Sequence, residues 1–258
     1  MNNYFSRRTV PVVFTLLALS LCGRSNTHGG AQAKMPTPLH DNSDWWSSLR
    51  TLDSDEGIPN EGIGPEAREF RPAVFTVLGI LLGEKLFTRA AAVLGPVEQV
   101  QRGDAATGRI QACYVSPGNG EKIYLIFEQG ELDFSFYLFA AGPPWYGSDR
   151  CAHSARIRRG VTTGAGLRLG QTPAEIIAIL GRPTKRLANE LIYSFLVEKP
   201  LSPKDLARAF AESRGTVPQL SKEQFKKEYG NYDLCEYVDA RFAAGRLFYL
   251  AVSRLESY

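Results

Sequence analysis

The sequence predicts an α+β protein of two tandem repeats, each with short helices packed on an antiparallel β-meander. Two observations lead to this prediction. A complete short helix with its start and stop signals lies in residues 166–183, and a degenerate copy lies in residues 79–96. A Phe-x-x-Gly-x-Leu hairpin follows each copy, at residues 127–132 and 242–247. A repeated unit identifies an architecture and not a reaction, so function needs separate arguments.

Composition and charge place the chain among ordinary globular proteins. Its 258 residues are 44% hydrophobic, which is enough to bury a core. Residues 1–33 hold three of the 30 basic residues and no acid, so the remainder carries 27 basic against 27 acidic residues. A balanced chain gives no electrostatic reason to expect nucleic acid or an anionic membrane as a partner.

Residues 1–33 are predicted to be a secretory signal peptide. Arg7 and Arg8 precede an apolar run over 10–22, and a polar stretch then ends in Ala-Gln-Ala at Ala33. We expect cleavage after Ala33 and a periplasmic or secreted protein. The alternative is a lipoprotein, because the residues that end at Cys22 resemble a lipobox whose cysteine is acylated.

An exported protein reaches an oxidising compartment, where disulfide bonds between its cysteines can persist. Three cysteines follow the signal, namely Cys113, Cys151 and Cys235. We predict a disulfide between Cys113 and Cys151, inside the first repeat, which the chain-entropy model values at about 3–4 kcal/mol. Cys235 is then predicted to be a buried apolar thiol.

Residues 34–71 are predicted to form an extended leader. The segment is rich in Pro, Gly, Ser, Asp and Asn and sustains neither a helical nor an alternating pattern. Trp45 and Trp46 interrupt it. These paired tryptophans dock either on the folded body of the same chain or on a partner.

Repeat 1, over residues 72–155, is predicted to be a helix followed by an antiparallel meander. Apolar residues recur at helical spacing between Leu86 and Leu94, and Gly95 with Pro96 ends the helix. Three strand-like runs follow, at 110–115, 123–128 and 132–139.

Repeat 2, over residues 156–258, begins with a well-marked helix. Thr172 suits the N-cap, Pro173 the first helical position, and Glu175 can complete a capping box. Gly181 ends the helix. The predicted buried face consists of Ile176, Ile177, Ile179 and Leu180.

The rest of repeat 2 differs from repeat 1 by a helical insertion over residues 198–232. Ser202 and Ser221 each open a pattern typical of a helix start, so two short helices are expected there. Strands are predicted on either side of the insertion, at 191–197, 235–242 and 247–254.

The repeated pattern Leu-Gly-x-Thr-x-x-Glu-x-x-x-x-Leu-Gly-x-Pro, followed by the hairpin, resembles two related protein groups. They are the tandem-repeat β-lactamase inhibitory proteins and the small BamE-type lipoproteins of the outer-membrane β-barrel assembly machinery. The resemblance implies helices on one face of an antiparallel sheet, with the other face or the loops binding protein partners. It implies no individual contact residue. The matching residues are Leu169, Gly170, Thr172, Glu175, Leu180, Gly181, Pro183, Phe242, Gly245 and Leu247.

No motif indicates a catalytic, cofactor or metal site, and we expect none. Two histidines follow the signal peptide, His40 and His153, and their sequence spacing is not typical of metal ligands. Glu128, Glu131 and Asp133 flank one hairpin. They form either an acid–base pair or, as we expect, a solvated hairpin edge.

Two further features are candidates for binding. Trp145 and Tyr146 lie on a proline-stiffened loop, where aromatic side chains are typical of protein interfaces. Their alternative role is to cap the core beside the disulfide. A basic cluster either holds an anionic polymer or lipid headgroup, or is a solvated linker between the repeats; it consists of Arg150, Arg156, Arg158, Arg159 and Arg168.

The expected function is that of an exported, non-catalytic protein that binds another envelope or secreted protein. The expected speculative contacts are Trp145, Tyr146, Trp45 and Trp46. Two alternatives stay open: a hydrolase or lyase of an envelope polymer that works through scattered carboxylates, and a lipid-anchored structural protein of the envelope. Nucleic acid is not an expected partner, and a membrane is one only if Cys22 is acylated.

Overall fold

The structure, a computed structural model, describes residues 69–102, 108–130, 133–141, 150–214 and 220–257. In this part the chain is a mixed α+β protein with four helices and a mostly antiparallel sheet, which confirms the predicted class. Several predicted features lie outside the described residues, namely the signal peptide 1–33 with Cys22, the leader up to residue 68 with His40, Trp45 and Trp46, and Glu131, Trp145 and Tyr146.

The described elements alternate short helices with runs of strands. The helices are α1 (Leu86–Leu94), α2 (Pro173–Leu180), α3 (Pro203–Ser213) and α4 (Lys222–Tyr229). The strands are β1 (Thr76–Val77), β2 (Ile80–Leu81), β3 (Gln99–Arg102), β4 (Arg109–Val115), β5 (Ile123–Gln129), β6 (Asp133–Ala140), β7 (Ala152–His153), β8 (Lys185–Leu187), β9 (Glu190–Pro200), β10 (Asn231–Ala243) and β11 (Arg246–Ser257).

One large sheet organises the molecule, in the strand order β3-β4-β5-β6-β11-β10-β9-β8. All neighbours in this order are antiparallel, and β7 adds a short parallel pairing to the end of β4. The two meanders meet at the centre, where β6 pairs with β11 and Phe136 lies opposite Val252. A strand of the N-terminal half therefore joins directly to a strand of the C-terminal half.

The main core lies between this sheet and the helices α1 and α2. Leu86, Ala90 and Ile176 are fully buried there, in the same cluster as Phe127 and Val252 of the sheet. Strand alternation sends every second side chain to this side. The small hairpin β1–β2 contributes to the same cluster, so the helices and the hairpin together form one covering layer.

Local signals place the helix ends where the sequence predicts them. Thr172 and Glu175 form the complete capping box of α2, and α1 and α2 end at Gly95 and Gly181, both at positive φ. The buried face of α2 is narrower than predicted, because only Ile176 is buried. The side chains of Ile177, Ile179 and Leu180 are half-buried on the flanks of this two-turn helix.

Five short strands were not predicted, because segments of two to four residues are too short to show a period. The fold also takes in residues before 72. The backbone N–H of Phe70 donates to Glu236 Oε2 at 3.0 Å, and the Phe70 ring lies 6.3 Å from that of Tyr193. Glu69 forms an ion pair with Lys199. Residues 69–70 are thus attached to the C-terminal half.

No helix in the described residues is both long and apolar enough to cross a membrane.

Candidate functional site

The face of the sheet opposite α1 and α2, here called the second face, gathers charged and aromatic side chains. Alternation along β4 sends Arg109, Gln111 and Cys113 to this face while Ala112 and Tyr114 enter the helix-covered core. The strand register carries the same division across the sheet. The second face therefore carries the candidate site.

One charged cluster lies on the N-terminal half of the second face. Arg109 forms an ion pair with Asp133, and its Nε lies 3.7 Å from Glu128 Oε1. Gln111 Nε2 donates to Glu128 Oε2 at 3.0 Å, and the Tyr137 hydroxyl donates to the same oxygen at 3.3 Å. Burial acts to lower the pKa of Arg109, but the charges of Asp133 and Glu128 outweigh it and raise that pKa.

This cluster corrects the prediction of a solvated hairpin edge. Glu128 is buried and Asp133 is half-buried, and both face Arg109. The prediction was wrong because it considered the hairpin alone, whereas the partner arginine comes from the neighbouring strand β4.

A second charged cluster occupies the C-terminal half of the same face. Arg241 Nε donates to Glu190 Oε1 at 3.0 Å and to Asp239 Oδ2 at 2.8 Å. Its guanidinium also lies over the ring of Tyr249, 4.9 Å from the centroid. Asp239 is only 1% exposed. As in the first cluster, one arginine is held between two carboxylates.

Acidic side chains outnumber basic ones among the described strand residues of the second face. Six of these strand residues are acidic and four are basic. The acidic ones are Glu128, Asp133, Glu190, Glu198, Asp233 and Asp239, and the basic ones are Arg109, Lys185, Arg241 and, at the hairpin end, Arg246.

A row of aromatic rings leads to the second cluster. Tyr124 stacks on Phe139 at 5.5 Å, and Phe139 lies 6.1 Å from Tyr249, which in turn contacts Arg241. Burial raises the pKa of Tyr124. The hydrophobic cluster on this face takes its described members from the strands, Cys151 and Ala141.

The predicted disulfide lies in the same hydrophobic cluster. Cys113 and Cys151 are at disulfide distance, with their Cα atoms 4.6 Å apart, and they fasten the segment after β6 to β4. Cys235 is buried beside Leu196 and Leu255, as predicted for this thiol.

The insertion between β9 and β10 contains the two predicted helices. Ser202 caps α3, and Ser221 with Gln224 forms a complete capping box on α4. Phe225 of α4 joins the two helices through a ring contact to Phe210 of α3 at 5.3 Å, and within α4 its ring lies 5.0 Å from that of Tyr229. The insertion starts and ends beside Pro200 and Asn231, which are paired in the sheet.

The basic cluster predicted from the sequence is spread over the segment that joins the two halves. All five of its arginines are exposed. Arg159 forms an ion pair with Glu121, and the charge of Arg168 contributes to lowering the pKa of Glu175 after the hydrogen bonds from Thr172. His153 is exposed on β7.

Sequence reasoning missed Arg109, Arg241, Glu190 and Asp239. The sequence pattern could have revealed two of them, because Asp239 and Arg241 alternate with apolar residues on a predicted strand and must share a face. Their neighbour Glu190 could not be placed without the register of β9 on β10. The predicted contacts Trp45, Trp46, Trp145 and Tyr146 are not among the described residues, so they stay predictions.

Comparisons with known proteins find no match for this chain among protein-family models, curated proteins or solved structures. The class that fold and site define is an α+β protein whose sheet has helices on one face and paired charges on the other.

Proposed function

We propose that this protein is an exported, non-catalytic module that binds another envelope or secreted protein through the second face of its sheet. The observation that carries the proposal is the charge pattern of that face. Two arginines are each held between two carboxylates, at Arg109 and at Arg241, so the charges stand at fixed positions. Preorganised charges on a rigid surface give specificity to protein recognition.

The same geometry argues against general acid–base work by these carboxylates. A general acid at neutral pH needs a raised pKa, which burial away from positive charge provides. Glu128, Asp133, Glu190 and Asp239 instead each lie in an ion pair with an arginine. These ion pairs favour a binding function over the alternative of an envelope-polymer hydrolase or lyase.

The proposed partner is a protein with a basic surface, because the face carries an excess of negative charge. The β8 edge is one accessible part of this face. Leu187 there is 37% exposed, while residues at the centre such as Asp239 are buried. We therefore propose that the partner docks at the β8 edge, with Leu187 as an apolar contact and the half-buried Glu190, which lies opposite Leu187 in the sheet, setting its orientation.

The cysteine pair supports the proposal that this protein is exported. The Cys113–Cys151 pair is stable in an oxidising compartment, where exported proteins reside. The predicted signal peptide supplies the route. Intact mass of the mature protein separates the versions of the proposal, since cleavage after Ala33 leaves Lys34 as the first residue, whereas a lipoprotein begins at an acylated Cys22.

We also propose that the two halves of the fold are copies of one unit, as the sequence pattern predicts. Their element order supports this, with α1 before β3–β6 and α2 before β8–β11. Tyr114 and Tyr193 support it further. The hydroxyl of Tyr114 donates to the carbonyl of Gly95 at 3.1 Å, and that of Tyr193 donates to Gly181 at 3.3 Å.

The test is affinity capture of partners from an extract of the protein's own envelope, with two matched variants as bait. Leu187→Asp alters the β8 edge of the second face. Leu81→Asp changes the same residue type at nearly the same exposure, 36%, on the hairpin of the helix-covered side. We expect Leu187→Asp to lose the captured protein while Leu81→Asp retains it.

Capture should also weaken as salt is added, because exposed charges are screened. Equal capture by both variants, with both folded by circular dichroism, would show that the β8 edge is not the docking surface. Capture that increases with salt would contradict the proposed basic partner.

A further inference from the structure

A surface hollow lies where the segment after β7 passes the β1–β2 hairpin. Its volume is about 500 Å³, within the range of small-ligand sites in proteins. Arg156 and Arg158 line it together with Leu78, Gly160 and Val161. The hollow is separate from the second face, since Val161 and Leu78 belong to the helix-side core.

The backbone that carries the two arginines is held in place. Ile157 N–H donates to Ser154 O at 3.0 Å, and Val161 N–H donates to Arg158 O at 2.9 Å, so two turns follow each other. Ile157 and Val161 are almost fully buried and anchor these turns in the core. Arg156 and Arg158 flank the anchored Ile157, and both are exposed.

The positive charge of this pair is not neutralised within the described part of the chain. There, Arg156 and Arg158 form neither an ion pair nor a side-chain hydrogen bond, whereas their neighbour Arg159 forms an ion pair with Glu121. The described lining of the hollow also contains no acidic side chain. The hollow therefore combines two available guanidinium groups with an apolar floor.

A guanidinium group is a planar fork of N–H donors that matches the oxygens of a phosphate group and binds them in pairs. Two such groups on a fixed backbone supply two charges, which suits a dianionic phosphate. From this geometry we propose that the hollow binds a phosphate group, with Arg156 and Arg158 as its ligands. The apolar floor formed by Leu78 and Val161 would contact the body that carries the phosphate.

The source of the phosphate is either the headgroup of an anionic lipid or a free phosphorylated small molecule. Two probes separate these sources. Inorganic phosphate is titrated into the full chain in a phosphate-free buffer of low ionic strength, with the backbone amide resonances of residues 155–162 as the readout. Binding to vesicles is measured by sedimentation, with phosphatidylcholine alone and with added phosphatidylglycerol.

The key variant is the double substitution Arg156→Ala and Arg158→Ala. Its control, Arg208→Ala with Arg214→Ala, removes the same charge from two exposed arginines at α3. We expect the first pair to weaken phosphate binding about tenfold or more and the control to leave it unchanged. The double substitution Arg156→Lys and Arg158→Lys keeps the charge but loses the paired donors, so this variant should bind phosphate at an intermediate strength.

Saturable shifts confined to residues 155–162 and lost in the key variant would support the proposal. Binding to phosphatidylglycerol vesicles that is lost in the same variant would assign the lipid headgroup, and phosphate binding without vesicle binding would assign a free ligand. Equal binding by the key variant and the control would overturn the proposal. Binding of neither probe would overturn it as well.

Discussion

At the residue scale, Arg241 holds the C-terminal charged cluster together. It contacts Glu190 and Asp239, and Asp239 is almost completely buried. Arg241→Ala would leave both carboxylates without this cation. Because a buried charge without its partner is costly, we expect the free energy of unfolding to fall by about 3 kcal/mol, as measured by urea denaturation.

Arg208→Ala is the matched control for Arg241→Ala. Arg208 pairs with Asp205 on α3, where both side chains are well exposed. Exposed pairs are screened by solvent, so this change should cost less than about 1 kcal/mol. A similar loss in both variants would contradict the special role assigned to the buried cluster.

Glu236 is the buried carboxylate of the helix-covered side. Burial raises its pKa, although the N–H of Phe70 and the charge of Arg254 oppose that change. Arg254 Nη1 stays 3.8 Å from Glu236 Oε1, too far for a hydrogen bond, so it offsets the burial only in part. The folded chain therefore keeps this proton at pH values where the unfolded chain has released it.

This shift predicts a pH dependence of stability. The contribution of Glu236 is fully present below the ordinary glutamate pKa of 4.5 and is lost as the pH rises through the higher folded-state pKa. Glu236→Gln removes the titration. We expect the stability of the variant relative to the wild type to increase as the pH rises above 4.5, in urea unfolding at a series of pH values.

Glu198→Gln controls for the change in net charge, because Glu198 is exposed on β9. Its stability relative to the wild type should not follow the pH course expected for Glu236→Gln. A flat profile for Glu236→Gln would show that burial does not perturb this carboxyl as inferred.

At the scale of elements, two tyrosines tie the sheet to the ends of the helices. Tyr114 of β4 donates to Gly95 after α1, and Tyr193 of β9 donates to Gly181 after α2. Burial raises the pKa of Tyr114 to about 12 and also raises the pKa of Tyr193. Both hydroxyls therefore stay protonated and serve as donors at neutral pH.

Tyr114→Phe and Tyr193→Phe each leave a helix-end carbonyl without its donor. We expect each change to lower the free energy of unfolding by about 1 kcal/mol, and the double variant to lower it by their sum. Tyr229→Phe, at a 44% exposed position, should change it little. A loss in only one of the two buried variants would argue against equivalent roles in the two halves.

At the scale of the whole molecule, the insertion of α3 and α4 looks like an addition to a complete sheet. Pro200 and Asn231 are paired strand residues, and the N–H of Leu201 donates to Gly230 O at 2.7 Å. The strands β9 and β10 therefore reach the insertion already in register. Replacing residues 201–230 by Asn-Gly should close an ordinary hairpin.

We expect this shortened protein to fold with an unchanged sheet, because the main core contains no residue of the insertion. Circular dichroism should show a loss of helix signal only, and urea unfolding should remain cooperative. A chain that no longer unfolds cooperatively would show that the insertion is part of the folding unit.

Short-range chemistry explains how much the sequence could predict. The capping box of Thr172, the glycine stops at Gly95 and Gly181, and the starts at Ser202 and Ser221 all act within a few residues. Such signals are complete in the sequence, and the structure confirms the helices that they predict. The Cys113–Cys151 pairing was also predicted correctly, because it joins two cysteines within the first repeat.

The charged clusters could not be predicted in the same way. Arg109 meets Glu128 and Asp133 only because β4, β5 and β6 lie side by side in one register. Glu190 meets Arg241 only across the β9–β10 pairing, on the far side of the insertion. The sequence contains these residues, but their distances depend on which strands become neighbours.

The sequence by itself thus determined the α+β class, the helix ends, the hairpin turns and the cysteine pair, because each depends on local contacts or on a small set of choices. Only the tertiary structure decided that β6 joins β11, which face of the sheet carries the paired charges, and that Glu236 is buried. These outcomes depend on how segments far apart in the chain pack together, and no local sequence pattern distinguishes one such arrangement from another.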